Sequence, residues 1–192
     1  MDSMPVSELL RLGAARPILR WGSPILHRPA RPVVDFGPNL QVLLAAMFAT
    51  NTAADGAGLA AQQIGVDLAV FVYDCPDENG TRRTGVVCNP TIDVVATAGR
   101  RLIDIEEGCL SLPGAFIDCA RPAHATCRGK DQFGEQVEVT AGGTLGRCLQ
   151  HETDHANGIV FGDRLSTRAR KTLYSDHEAV SDQYDINWPV QQ

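Results

Sequence analysis

His151-Glu152-Thr153-Asp154-His155 packs more chemistry into five residues than any other stretch of this chain. On a helix, four residues turn through about 400°, so both imidazoles leave one face, a turn apart. That geometry suits two corners of a tetrahedral metal site. Glu152 directly follows the first imidazole and can reach a water at the metal without ligating it. The bland alternative is a solvated helix face that happens to carry two histidines and two carboxylates. A catalytic ion also needs a third protein ligand and an open position. Downstream, the pattern HExxHxxGxxH is matched as far as Gly158, but Phe161 stands at its last histidine, and only Asp163, His177 and Glu178 follow. Upstream stands Glu106-Glu107-Gly108-Cys109-Leu110-Ser111, whose Cys109 thiolate would make a strong third ligand.

A helix must carry both histidines. Leu145, Cys148, Leu149, His151 and His155 predict one that starts at Thr140 or at Gly142-Gly143 and stops at Asn157-Gly158. Leu40, Leu43, Leu44, Met47 and Phe48 predict an earlier helix over 39–53, with turn-forming residues from Asn51 to Gly58 ending it. Between the two helices, short β-rich runs at 68–73, 85–88, 91–97, 101–105, 116–119, 123–128 and 136–140 alternate with Gly, Pro, Asp and Asn turns. A weak helical stretch is expected over 165–177, then a polar tail. Helices flanking many short strands read as an α+β fold.

The chain has 192 residues, 44% hydrophobic, with 17 basic against 23 acidic side chains for a net charge of −6. One domain with extended ends is the expectation, and a wholly disordered chain is excluded. The acidic balance argues against direct nucleic-acid binding, which needs a basic face. No apolar run approaches the roughly 18 residues of a membrane span; the best, 42–48, is far shorter. Asp2, Glu8 and the lack of a continuous apolar stretch at the N-terminus argue against a signal peptide. The six cysteines form no CxxC pair, which reads as a reduced, cytoplasmic protein.

Three motifs together resemble the peptide deformylases. Gly56-Ala57-Gly58-Leu59-Ala60-Ala61-Gln62-Gln63 is similar to their GxGLAAxQ, Glu107-Gly108-Cys109-Leu110-Ser111 to EGCLS, and Gln150-His151-Glu152-Thr153-Asp154-His155 to QHExDH. The likeness extends to the lead-in Arg20-Trp21-Gly22-Ser23-Pro24-Ile25-Leu26 and the corner Cys88-Asn89-Pro90, and covers roughly 17–165. It implies a single α+β domain in which mixed or antiparallel short-strand sheets pack around a central metal-binding helix. Residues 1–16 would be an N-terminal extension and 166–192 a C-terminal helix or tail, neither with an assigned role. The implied reaction is metal-dependent hydrolysis of the formyl group from the N-terminal formylmethionine of nascent polypeptides, releasing formate.

The resemblance also implies a site. Cys109, His151 and His155 would ligate one divalent ion, Fe²⁺ by family habit, with Zn²⁺, Ni²⁺ or Co²⁺ as alternatives. Glu152 would move the protons. The Gln63 side chain and the Leu110 backbone N–H would receive the oxyanion, with Gln62 a decoy of the same type. Gly56 and Gly58 are expected to let backbone approach the peptide, which would bind in an extended, strand-like manner. Cys148 and Arg147 are expected in the methionine pocket, with Leu145 either there or in the core. Arg147 stands where an aliphatic residue is common, Ala57 is smaller than the usual β-branched residue, and Phe116 stands where some members have a basic one. Arg121 is expected to pair with Glu107. Partners would be nascent chains with room for a transient ribosome contact, no membrane, and a monomer or weak oligomer. His27, His124, His177 and the other cysteines read as packing or surface residues, and the basic cluster Arg164, Arg168, Arg170 and Lys171 as a solvated helix face.

Two rivals make different demands. An HExxH peptidase needs a downstream ligand and leaves Cys109 and Gln63 idle. A peptide-binding relative without catalysis has no use for Glu152.

Overall fold

The computed structural model describes residues 4–93 and 102–190. Four α-helices are present among them: α1 (Val6–Leu12), α2 (Pro38–Ala53), α3 (Gly143–Ala156) and α4 (Thr167–Val180). Strands β1 (Gly58–Ala60), β2 (Val70–Pro76), β3 (Arg82–Asp93), β6 (His124–Lys130) and β7 (Gln136–Gly142) form one antiparallel sheet in the order β1-β2-β3-β6-β7. Strands β4 (Leu102–Gly108) and β5 (Phe116–Pro122) pair antiparallel as a separate hairpin. This is an α+β fold whose described strand pairs are all antiparallel. Among the described residues no helix is long and apolar enough to cross a membrane.

Helices α2 and α3 take opposite sides of the core. Proline at its first turn starts α2, and Leu40, Leu44, Met47 and Phe48 pack it on β1, β2 and the short α1. On the other side Leu145 and Leu149 of α3 meet Phe71, Tyr73, Val87 and Val139 of the sheet. Most of α3 is buried, including six consecutive polar side chains from Gln150 to His155. Buried polar groups must be paired, so this helix can exist only with partners on every side. It ends where Gly158 takes a φ of 75°. A Cβ there would lie 2.3 Å from the Arg28 backbone.

Several sequence expectations change in detail. The runs at 85–88 and 91–97 are one strand as far as Asp93; 94–97 lie outside the described residues. Between Cys88 and Thr91 the register slips, Asn89 takes a φ of 53°, and its side chain bonds both backbone groups of Val33. The chain thus crosses a bulge without leaving the sheet. Gly58, read as the last of the turn residues, instead opens a short strand, Gly58–Ala60. The N-terminal segment carries helix α1, whose Leu9 is fully buried. Helix α4 docks through buried Leu173 and a Trp21–Tyr174 ring stack with centroids 4.0 Å apart.

Candidate metal centre and substrate cleft

Cys109 follows directly on β4, and α3 presents His151 and His155 towards it. The three ligand atoms lie within 4.8 Å of one another, and all three residues are buried. Cys109 Sγ is 3.4 Å from His155 Nε2. Ligands about 2.0–2.3 Å from a common tetrahedral centre stand roughly 3.5 Å apart, so the spacing fits a single ion. The downstream residues do not join them. His177 contacts the Pro113 carbonyl through Nδ1, Asp163 caps Val160 and faces Arg170, and Glu178 is exposed. The peptidase rival therefore lacks its ligand.

Electrostatics favour the same reading. Burial holds His155 well below its usual value, reinforced by His151, so the ring is neutral and offers a lone pair. Burial would also lower His151, but the Cys109 sulfur and Glu107 outweigh it and raise it well above normal. The surroundings of His151 thus favour positive charge, which is what a cation supplies. Glu152 is raised to about 7, chiefly by burial, and its Oε2 has no hydrogen-bond partner among the described residues. A carboxylate with an ordinary pKa would be a poor proton acceptor and donor at neutral pH; one near 7 serves as both.

A buried ionic frame holds the ligands. Glu107 Oε1 accepts from His151 Nδ1–H at 2.7 Å, which leaves Nε2 for the metal side. Arg121 donates two bonds of 2.7 Å to Glu107 and one of 2.9 Å to Asp154. Arg147 adds a 2.8 Å bond to Glu107, and Arg164 closes on Asp154. Burial alone would raise Glu107, yet the bonds from His151 and Arg121 hold it well below the usual carboxylate range. The expected Arg121–Glu107 pair is present. Asp154 was not singled out beforehand, although its place in the motif beside His155 could have marked it. Arg164 stays exposed to solvent as expected, but its guanidinium also reaches in to bond the buried Asp154 and so joins the frame.

A cleft of about 420 Å³ opens beside this centre, lined by Gly56, Gly58, Gln63, Leu110, Arg147 and Cys148 among others. Gln63 Oε1 accepts the Ala60 N–H at 2.8 Å, which turns its NH₂ towards Ser111 Oγ and Cys109 Sγ, 3.4 and 3.7 Å away. Gln62 faces the other way and bonds the carbonyls of Ile25 and Arg28. The two glycines line the cleft, but their immediate cause is the protein's own packing. A Cβ on Gly58 would lie 2.6 Å from Cys148 Sγ and one on Gly56 2.4 Å from Asn51 Oδ1. Leu145 is fully buried in the core and Cys148 borders both core and cleft. The Arg147 guanidinium does not reach into water; it bonds Glu107 and the carbonyls of Cys119 and Ile103. Tyr184 and Trp188 also line the cleft, and nothing in the polar tail sequence announced them.

Fold and site fit one class: metal-dependent hydrolases, with a candidate Cys-His-His ligand set on one helix and at a neighbouring strand end. Residues 15–171 match the family model for polypeptide deformylase. Peptide deformylase 1 of Streptomyces avermitilis is 52% identical over 159 residues, covering 83% of this chain and 74% of that protein. Peptide deformylase 2 of Streptomyces coelicolor is 45% identical over 161 residues, covering 84% and 88%. Among solved structures, a peptide deformylase from Legionella pneumophila superposes with a TM-score of 0.78 at 39% identity, over 88% of this chain and 97% of that one. The chain belongs to the polypeptide deformylase family, and is a hydrolase that removes the formyl group from the N-terminus of newly made polypeptides.

Proposed function

We propose that Cys109, His151 and His155 hold one divalent ion, ferrous iron in the cell, and that Glu152, Gln63 and Leu110 act on formylmethionine beside it. The observation that carries this reading is the convergence of three ligand atoms within 4.8 Å around a cleft that also contains Glu152. When bound, the ion supplies Lewis-acid polarisation and lowers the pKa of water to about 7. Glu152 Oε2, free of other partners, takes the proton as water oxygen adds to the formyl carbon. The former carbonyl oxygen becomes the oxyanion, which the Gln63 NH₂ and the Leu110 N–H receive. As the C–N bond breaks, Glu152 returns the proton to the leaving α-amine, and formate and the free N-terminus depart.

The donor set of one sulfur and two imidazoles accepts Fe²⁺, Zn²⁺, Ni²⁺ or Co²⁺, so availability in the cell decides occupancy. Family habit is the ground for iron. The same reading has the enzyme act in the cytoplasm as a monomer or weak oligomer, touching the ribosome only transiently.

The test is formate release from a formyl-Met peptide by enzyme loaded anaerobically with Fe²⁺, against an acetyl-Met control. Turnover of the formyl peptide alone is expected. No formate at any metal loading would overturn the assignment. In a parallel pair, Cys109→Ser loses metal whereas Cys127→Ser retains it; equal content in both would reverse the choice of thiolate.

A further inference from the structure

The family match ends at residue 171, yet the chain beyond it returns to the cleft. After α4, residues 181–190 run back along the lead-in segment. The Ile18 N–H donates to the Trp188 carbonyl at 2.9 Å, and Arg20 Nη2 donates to the carbonyls of Tyr184 and Asp185 at 3.1 and 2.9 Å. The Arg20 guanidinium also lies 5.6 Å from the centre of the Trp188 ring. Tyr184 and Trp188 meet edge to face, with centroids 5.3 Å apart. Both are half-buried and both line the cleft, alongside Leu110, Pro113 and Gly114.

The close fit at Gly114 ties this segment to the loop that carries Cys109. Gly114 has a φ of 78°, and a Cβ on it would lie 2.9 Å from Tyr184 Cε2 and 2.7 Å from Val180 Cγ2. Tyr184 therefore closes over the end of the Leu110–Gly114 loop. Trp188 packs against the same apolar cluster as Leu110. Two aromatic rings fixed at a cleft rim offer wide apolar contact with little rotamer entropy to lose.

We propose that Tyr184 and Trp188 form a specificity-determining wall that contacts the peptide beyond its formylmethionine and favours an apolar or aromatic side chain there. The polar end of the cleft, with Glu152 and Gln63, takes the formyl group, so the chain must leave past other lining residues. Of those, the two rings are the large apolar groups contributed from outside the family match. This inference rests on the substrate reading above and adds a residue preference to it.

The test compares formyl-Met-Leu-Phe with formyl-Met-Ala-Ser on the metal-loaded, full-length enzyme. Wild type should prefer the apolar peptide by about tenfold in kcat/KM, the discrimination that modest apolar contacts can supply. Tyr184→Ala and Trp188→Ala should bring the ratio close to one, mainly through KM, while Trp188→Phe keeps it. Trp188 also packs on the core, so Tyr184→Ala decides the matter where Trp188→Ala folds poorly. An equal loss on both peptides, or an unchanged ratio, would show that the segment is only a structural strap and overturn the proposal. Calorimetric binding of the products Met-Leu-Phe and Met-Ala-Ser gives the same comparison without turnover. A wild type that releases no formate would thus sink the catalytic roles while leaving this wall independently testable.

Discussion

The two walls of the cleft are built on different physical principles. On one side, α3 and the β4–β5 hairpin are locked by Arg121, Arg147 and Arg164 around two buried carboxylates, Glu107 and Asp154. On the other, the C-terminal segment is hung from backbone carbonyls by the Ile18 amide and one partly buried arginine, Arg20. Bidentate, charge-assisted bonds fix side chains in direction as well as distance. They are costly to desolvate, so their return lies in placing His151 more than in net stability. Backbone anchors fix where a segment runs, and its two rings are held by packing on each other and on Arg20. The chemistry demands one geometry, whereas the apolar contact proposed for the tail asks for surface more than direction.

The sharpest way to separate chemistry from frame is Glu152→Ala. Turnover should fall by about 10²–10⁴ with metal content and Tm unchanged, because Glu152 ligates nothing and its Oε2 has no partner to lose. Formate assay and elemental analysis on one preparation check both halves, and retained turnover would remove the base from its role. Next in size is Arg121→Met, which leaves Glu107 and Asp154 buried without their shared cation. A loss of about 3–5 kcal/mol is expected. For a chain of this length that is a Tm drop on the order of 10 °C, read by calorimetry. A drop of only a degree or two would mean that the frame is not what holds this wall.

An ion pair away from the cleft sets the lower end of the scale. Arg82 donates to Asp74 at 2.8 Å on the sheet, and that bond holds the Asp74 carboxyl below its ordinary value. A carboxyl depressed in the folded state stabilises above its unfolded pKa of about 3.9, and the gain disappears as pH falls through the folded value. Arg82→Met should therefore lower Tm slightly at neutral pH and not at all in strong acid. Melting curves at both pH values check this. A gap that persists in acid would show that the arginine acts through packing and not charge.

Much of the catalytic wall was legible in the sequence. The HExxH spacing placed two imidazoles on one helix face, and α3 follows the predicted span to within its first turn. Residues 39–53 came out as α2 with one further residue, Pro38. Strand β1 was missed because three residues after a turn carry no period of their own; Gly58–Ala60 is a strand only by pairing with β2. The break expected at Asn89 failed for a related reason, since Val33 absorbs the bulge from elsewhere in the chain. Gly56 and Gly58 line the cleft, and the sequence alone did not show that their missing side chains also make room for Asn51, Cys148 and Glu152.

Local spacing alone therefore determined the helix, its histidine pair and the adjacent Glu152, because backbone geometry translates a four-residue interval into a direction in space; the candidate thiolate came from the likeness of residues 107–111 to EGCLS. Tertiary structure alone decided which charges meet, which way Arg147 turns, which glutamine faces the site and that the tail returns to the cleft. Those outcomes join residues far apart in the chain, and no local period encodes them. They follow only when the whole core has packed and each buried polar group has found its partner.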